Sequence, residues 1–585
     1  LERLSADVLE PAGTVFIEDG PRAWLFREPR RALRVERAAD LDAALADVDA
    51  EIAAGSAVAG YLSYDAGVAW AGRRPLRHAP AVPLAWLGVY DRFEAFGSLR
   101  LAGPEPGPVV DRALNLDEGE YVRRVERIRE AIGAGEVYQA NFACKMRART
   151  ESPAWALFAR LREAHPVGHA AFVGAGDHQV LSLSPELFLR KTGDRLLTRP
   201  MKGTIRRGRW LEEDHAQAEL LRSCPKSRAE NLMIVDLMRN DLGRVCGVGS
   251  VEVPALFQVE RYPSVLQMTS DVTGRLAPGV GLGALLRAAF PPGSVTGAPK
   301  SRAVDLIGEL ELEGRGVYCG AVGAFFPDGD LTLNVAIRTL VQRGSALELG
   351  VGSGIVWDSD PREEWREVLL KSRFLDWAAP AVRLFETMRR EADGRIELLE
   401  MHLDRMARSA AYLGFAFDRE RARRATAGQG PARVRLALDR YGALEVEEGP
   451  LPEATGRPWR VLVAARRVDS RDPRLAHKTT DRDRYDAEID EARRMGFDEA
   501  LHVNERGELT EGCLTNLLVC LDGEWWTPPE GSGLLPGVYR RALIEAGRVR
   551  ERTLWLSDLR RASAIRLCNA PRGEIEAVVE ASAGL

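Results

Sequence analysis

The sequence predicts an α+β protein of two units, residues 1–377 and 384–585, joined by a linker at 378–383. Three observations carry this expectation. Short β-like runs alternate with helical stretches along the whole chain. Gly and Pro, 55 and 32 residues, are scattered as turn punctuation rather than gathered into low-complexity tracts. After Lys371 the text changes, and DWAAPAV separates the preceding helix from a new series that opens on RLFETMRR. Length alone, at roughly 150 residues per domain, would suggest three or four units; the motifs below reduce them to two.

In the first unit, TVFI, AVAGYLSY and LAWLGVY read as strands, LDAALADVDAEIAA as a helix, and GPEPGPVVD as a turn-rich break. From Glu118 to Gly133, Tyr121, Val122, Val125, Ile128 and Ile132 recur at helical spacing. Further helices are expected at 227–239, 299–312 and 362–377, separated by strand-like LTLNVAIRTL and ALELGVGSGIV. In the second unit, MHLDRMARSAAYLGF and residues 482–495 read as helices, while VRLAL, RVLVAARRV, ALHVN and TNLLVCL read as strands.

An apolar fraction of 45%, with 81 Lys and Arg against 86 Asp and Glu, excludes a disordered chain and a broadly basic nucleic-acid binder. The basic run Arg206, Arg207, Arg209 accordingly reads as a solvated turn. Seven cysteines without C-x-x-C spacing indicate neither a disulfide scaffold nor a zinc site. No leader-like start and no apolar window of ~18 residues is seen, so no membrane is expected and the cytoplasm is the default compartment.

Two glycine-rich runs resemble nucleotide loops and fail as such. GSVTGAPKS separates Gly297 from Lys300 by two residues, which a Walker loop does not allow, and GVGSGIVWD has Ile355 where a dinucleotide fingerprint needs its third glycine. Each still suits close approach of backbone N–H groups to an anion.

Glu186 follows the strand-like HQVLSLS, Glu230 stands at an otherwise apolar helix start, and Glu364, Glu367 and Lys371 share one helical face at i, i+3 and i+7. Glutamates from two helices can hold Mg2+, which takes oxygen ligands and leaves positions for a substrate carboxylate. Taken alone, Glu367 and Lys371 would be an ordinary surface pair, and Lys202 in TRPMKGT an exposed turn lysine.

Seven strings occur in one order: SPELF, RPMKGT, AENLMIVDLMRNDLGRV, PPGSVTGAPKSRA, GRGVYCGAVG, NVAIRTL and GVGSGIVWDSDPREEWREVLLKS. Together they resemble the chorismate-utilising enzymes, which include anthranilate synthase large subunits, isochorismate and salicylate synthases and aminodeoxychorismate synthase component I. The resemblance covers about residues 1–377 and implies that family's two-sheet fold. It implies Glu186 as the acid for a departing hydroxyl and Glu230 and Glu367, helped by Glu364, as Mg2+ ligands. Thr296, Tyr318, Arg338, Gly352, Gly354 and Lys371 are implied to hold chorismate's carboxylates. Where anthranilate and isochorismate makers read P-I-A-G-T, this chain reads Pro200-Met201-Lys202-Gly203-Thr204. That form is similar to aminodeoxychorismate synthase and implies Lys202 as a nucleophile. Gln267 replaces the histidine usual in anthranilate synthases, which argues against pyruvate elimination in this half.

Downstream, HLDR (402–405), HKTT (477–480), TEGCLTN (510–516), LPGVYR (535–540) and CNA (568–570) resemble in their order the class IV pyridoxal-phosphate enzymes. These include branched-chain and D-amino-acid aminotransferases and aminodeoxychorismate lyase. The resemblance, over about 384–580, implies a two-lobed unit in which Lys478 carries pyridoxal phosphate and Glu511 pairs with its pyridine nitrogen. Arg405 and the N–H groups of Val538 and Tyr539 would hold the phosphate, with Thr515 and Asn569 as further contacts. The combined expectation is 4-aminobenzoate synthesis from chorismate, with ammonia supplied by a separate glutamine amidotransferase subunit and a homodimer formed through the pyridoxal-phosphate unit. Two rivals stand beside it: an anthranilate synthase-like unit joined to a class IV transaminase, and a synthase with a non-catalytic C-terminal module.

Overall fold

A computed structural model describes residues 2–70, 82–97, 99–375, 382–453 and 455–580. The chain forms two units, Leu1–Arg206 with Ala218–Ala378, and Arg207–Gln217 with Ala379–Leu585. Most of the expected linker, 378–381, lies outside the described residues. The segment 207–217 departs from the expected division, since it packs with the second unit.

The first unit is built on two ten-stranded sheets. One runs in the order 297–298, 139–149, 346–355, 339–343, 179–184, 169–174, 15–19, 22–26, 93–96, with 110–114 paired to 139–149. The other runs 201–206, 265–275, 195–198, 187–192, 331–335, 321–325, 57–62, 85–90, 31–35, with 252–261 paired to 265–275. Both strand faces are buried in Ala57–Leu62 and Ala85–Tyr90, which explains why these runs are apolar without alternation.

LTLNVAIRTL is two strands rather than one. Leu331–Val335 belongs to the second sheet and Thr339–Arg343 to the first, and the chain crosses between them at 336–338 with Arg338 at φ 50°. A non-glycine residue adopts positive φ only where its surroundings enforce it. A second crossing, at Pro185 and Glu186, links Gln179–Ser184 to Leu187–Thr192. The two crossings are tied together: Val335 N–H donates to the Glu186 carbonyl (3.0 Å) and Leu183 N–H to that of Arg338 (3.0 Å). The fold thus places an acid and a guanidinium at adjoining strand ends.

Glu118–Gly133 is a helix, as its spacing predicts, capped by the Asp117 side chain accepting from Glu120 N–H (2.7 Å). Its buried Val125 and Ile128 each contribute ~1.5–3 kcal/mol by leaving water. The helices expected at 227–239, 299–312 and 362–377 span Pro225–Gly243, Lys300–Leu310 and Pro361–Ser372. Asp360 caps the last by accepting from Arg362 and Glu363 N–H (3.0 and 2.9 Å), and Pro361 fits the first turn, where no N–H is needed.

The second unit has two lobes. Leu384–Arg390, Ala432–Leu438 and Leu444–Gly449 form a three-stranded antiparallel sheet covered by the helix Leu399–Leu413. The other lobe is an eight-stranded mixed sheet whose strand Trp459–Val463 pairs in parallel with both Glu499–Val503 and Gly573–Glu580. Among the described residues no helix is long and apolar enough to cross a membrane, and all seven cysteines are free thiols.

Candidate active sites

In the first unit Lys202 stands on the strand Met201–Arg206. Its amine is held below the usual lysine range by burial, with help from Lys371, while Glu230, Glu186 and Glu367 pull the other way. These four partners come from a sheet crossing and two helices, so distant pieces of sequence converge on one amine. Glu186 is nearly inaccessible, and burial lifts its carboxyl to about 7 against hydrogen bonding from Ser294 and the Lys202 charge.

Gly354 explains itself by contact. A Cβ there would stand 2.6 Å from Lys202 Nζ and 2.9 Å from Gln139 Nε2. Gly354→Ala is therefore expected to cut turnover by the ~10²-fold that a misplacement of about 1 Å can cost. Steady-state rates beside unchanged thermal unfolding would check this; retained turnover would show the space to be unused. Gly350 similarly admits the Tyr318 ring, since its Cβ would lie 2.1 Å from the ring's Cγ.

Thr296 is fully buried, its hydroxyl donating to the Pro292 carbonyl (2.8 Å) and its own carbonyl accepting from Asn141 N–H (2.9 Å). Lys371 Nζ donates to the Gly352 carbonyl (2.8 Å) and pairs with Glu367 (2.6 Å). Glu364 accepts from Ser359 Oγ (2.7 Å). Burial holds the Arg338 guanidinium below its usual range. Gln267 accepts from Thr204 Oγ1 (3.1 Å) across the strand pair that presents Lys202. Glu230, Glu364 and Glu367 do not bring three ligand atoms within 4.8 Å of one another, a spacing met among the described residues by Glu488, His502 and Cys513. Mg2+ is commonly held by one or two carboxylates plus substrate oxygens, and Glu230 and Glu367 fit that donor set.

Gln139 was not foreseen. It is fully buried, and both atoms of its amide lack partners although the amide adjoins Lys202 across Gly354. A buried unpaired amide costs ~1–3 kcal/mol, which a ligand can recover. In the sequence it is one of two amide side chains in YQANFA, with nothing to mark it.

In the second unit a cavity of about 660 Å³ is lined by Arg405, Lys478, Glu511, Thr515, Val538, Tyr539 and Asn569. All seven residues expected to contact a cofactor are among those that line it. Burial and the Arg405 charge push Lys478 down to about 8. The lysine's carbonyl accepts from Phe385 N–H (3.0 Å), and its amine lies 4.8 Å from the Phe385 ring centre. Glu511 accepts from Leu535 N–H (3.0 Å), Tyr485 Oη (3.1 Å) and Asn516 Nδ2 (3.2 Å), yet burial still raises it to about 8. The charges of Lys478 and Arg482 only partly offset that burial. Arg405 is clamped by Glu386 (2.8 and 2.6 Å) and by the Pro536 carbonyl (3.1 Å). Beside it begins the helix Val538–Glu545, whose first-turn N–H groups have no acceptor within the helix, a natural anion seat.

Two expected contacts are committed elsewhere. Thr515 Oγ1 donates to Glu499 (2.9 Å), and Asn569 Nδ2 donates to the Leu514 carbonyl (3.2 Å). Glu499, fully buried, also accepts from Ala500, Cys513 and Leu514 N–H (3.0 Å each) and so shapes the turn after Glu511. Sequence reasoning passed over Glu386 and Glu499, acidic residues within strands whose partners lie on other elements.

Residues 14–376 match the family described as chorismate binding enzyme, and residues 383–578 that described as amino-transferase class IV. The aminodeoxychorismate synthase component 1 of Klebsiella aerogenes is 42% identical over 257 residues, 44% of this chain and 57% of that one. An anthranilate synthase component 1 of Haloarcula marismortui is 41% identical over 255 residues, 44% of this chain and 52% of that one. The crystal structure of anthranilate synthase component I from Streptococcus pneumoniae superposes with a TM-score of 0.55 at 26% identity, covering 61% of this chain and 92% of that one. The chain spans about half the length of the curated relatives it matches.

Proposed function

Because the chain belongs to the chorismate binding enzyme family and continues into a class IV aminotransferase unit, we propose that it converts chorismate to 4-aminobenzoate. The observation that carries this reading is Lys202, an amine of lowered pKa beside the protonatable Glu186. Relatives at 42% and 41% identity carry the two synthase names, and Lys202 favours the aminodeoxychorismate reading.

In the first site the neutral Lys202 amine attacks C2 of chorismate while the C4 hydroxyl departs, taking a proton from Glu186. Ammonia then attacks C4 and the Lys202–C2 bond breaks, giving 4-amino-4-deoxychorismate. Arg338, Lys371, the Thr296 loop and the backbone of Gly352 and Gly354 hold the substrate carboxylates, and Mg2+ held by Glu230 and Glu367, with Glu364 as helper, would neutralise their charge. Since Glu186 must be protonated, the first reaction should be fully available well below pH 7 with respect to this group and fade as pH rises through about 7. The pH profile of chorismate consumption checks this, and Glu186→Gln should remove that limb.

In the second site the residues present suit pyridoxal phosphate: a lysine poised to lose its proton, a buried carboxyl group whose burial outweighs its neighbouring charges, and an arginine beside a helix N-terminus. When bound, pyridoxal phosphate supplies an electron sink for the carbon bearing the substrate amine. Glu511 would hold a proton at the pyridine nitrogen, Arg405 with Val538 and Tyr539 N–H would bind the phosphate, and Lys478 Nζ would move the substrate's C4 proton. Pyruvate would then leave as the substrate ring becomes aromatic.

With this reading go ammonia from a separate glutamine amidotransferase subunit, a cytoplasmic location and a dimer through the second unit. Incubation with chorismate, ammonium, Mg2+ and pyridoxal phosphate tests the proposal. 4-Aminobenzoate with equimolar pyruvate is expected, and anthranilate would overturn it.

A further inference from the structure

Arg207 is not the solvated turn residue its sequence suggested. It is 8% exposed, and Asp214, its partner, is fully buried. The guanidinium meets Asp214 at two points (Nε–Oδ1 2.7 Å, Nη2–Oδ2 3.0 Å) and donates also to the Tyr412 carbonyl (3.0 Å). Its central carbon stands 4.1 Å from the Tyr412 ring centre. Tyr412 Oη returns a hydrogen bond to the Gly208 carbonyl (2.6 Å). The Tyr412 ring in turn stacks on His477, with centroids 4.3 Å apart and planes 26° from parallel. The Tyr412 ring is thus in contact with both the guanidinium and the imidazole.

His477 immediately precedes Lys478. Its Nδ1 is bonded to Ser409 Oγ (3.0 Å), and burial keeps the ring largely uncharged, pushing it down to about 4. The lysine's peptide is therefore pinned on one side by the stack and on the other by Phe385 N–H on its carbonyl. The segment has further ties within the second unit: Arg209 Nη1 donates to the carbonyls of Ser470 (3.3 Å) and Gly531 (3.2 Å). In sequence, however, Arg207 follows the strand that ends at Arg206 and carries Lys202, inside the span matched to the chorismate binding enzymes.

We propose that Arg207 is a positioning residue of the second active site: through Tyr412 and His477 it fixes the backbone from which Lys478 extends. Part of the chorismate-binding sequence thus serves the pyridoxal-phosphate unit. Arginine is required because a lysine would offer neither the flat face for Tyr412 nor the fork for Asp214. The inference rests on the reading of Lys478 as the cofactor lysine.

The test uses the full chain. In cofactor-free protein, Arg207→Ala should speed amide hydrogen exchange at residues 477–479 about tenfold or more. With pyridoxal phosphate added, its kcat for releasing pyruvate from 4-amino-4-deoxychorismate should fall about tenfold with KM changed less than twofold, and Arg207→Lys should restore only part of both. Removing Arg207 strands the buried Asp214 carboxylate, so Tyr412→Leu, which leaves that pair intact, is the second variant and should show the same exchange and kcat effects. Unchanged exchange at 477–479 in both variants would overturn the proposal. So would a loss of kcat matched by an equal rise in exchange across the whole second unit, which marks a merely structural role. Exchange reads the positioning whether or not Lys478 takes the cofactor. A wild-type protein with no absorbance band from lysine-bound cofactor would instead bring down the reading of Lys478.

Discussion

Lys202→Ala should lower formation of 4-amino-4-deoxychorismate by ~10³-fold or more, while chorismate still binds. The reasoning is local. Displacing the C4 hydroxyl by ammonia in one event is difficult, and a covalent bond to Lys202 divides it into two easier substitutions. The amine has to be neutral when it attacks, and burial with the Lys371 charge supplies that shift against Glu230, Glu186 and Glu367. The fraction of neutral amine grows as pH rises through its lowered pKa, whereas Glu186 keeps its proton only up to about 7. The first reaction accordingly needs opposite protonation states in these two groups, and its rate should fall with acid as Lys202 gains a proton and with base as Glu186 loses one. Calorimetric chorismate binding beside product assay checks the variant. If product formation stayed within tenfold of wild type, the nucleophile assignment would fall.

The second large effect belongs to Lys478→Ala. This change should abolish the absorbance band of lysine-bound pyridoxal phosphate and reduce pyruvate release by ~10³-fold or more. Chorismate consumption should continue and 4-amino-4-deoxychorismate accumulate. At a pKa of about 8 for the unmodified amine, a useful fraction is neutral near neutrality and can bond to the cofactor's aldehyde. A variant that still released pyruvate at the wild-type rate would show that proton movement at C4 belongs to another group.

Much of this could be read from sequence because the informative residues sit in runs with restricted backbone. Glu364, Glu367 and Lys371 fall on one face of a helix whose start is marked by Asp360-Pro361, and Lys478, Glu511 and the Val538 helix start meet in one cavity. What escaped notice depends on contacts between residues far apart in the chain. The split of LTLNVAIRTL between two sheets turns on Arg338 at positive φ, which no period of hydrophobicity encodes. Gln139 carries no mark in the sequence, and its place in the site emerges only where Gly354 and Lys202 stand beside it. Arg207 looked solvated because its partners Asp214 and Tyr412 lie 7 and 205 residues away. Burial of a charge is decided by such pairing rather than by the residue's immediate neighbours in sequence.

The most direct test of the central claim is product analysis of wild-type protein given chorismate, ammonium, Mg2+ and pyridoxal phosphate, with Lys202→Ala and Lys478→Ala run beside it. The account predicts 4-aminobenzoate and equimolar pyruvate from wild type, accumulated 4-amino-4-deoxychorismate from Lys478→Ala, and neither from Lys202→Ala. Anthranilate from wild type, or 4-aminobenzoate made undiminished by either variant, would contradict it.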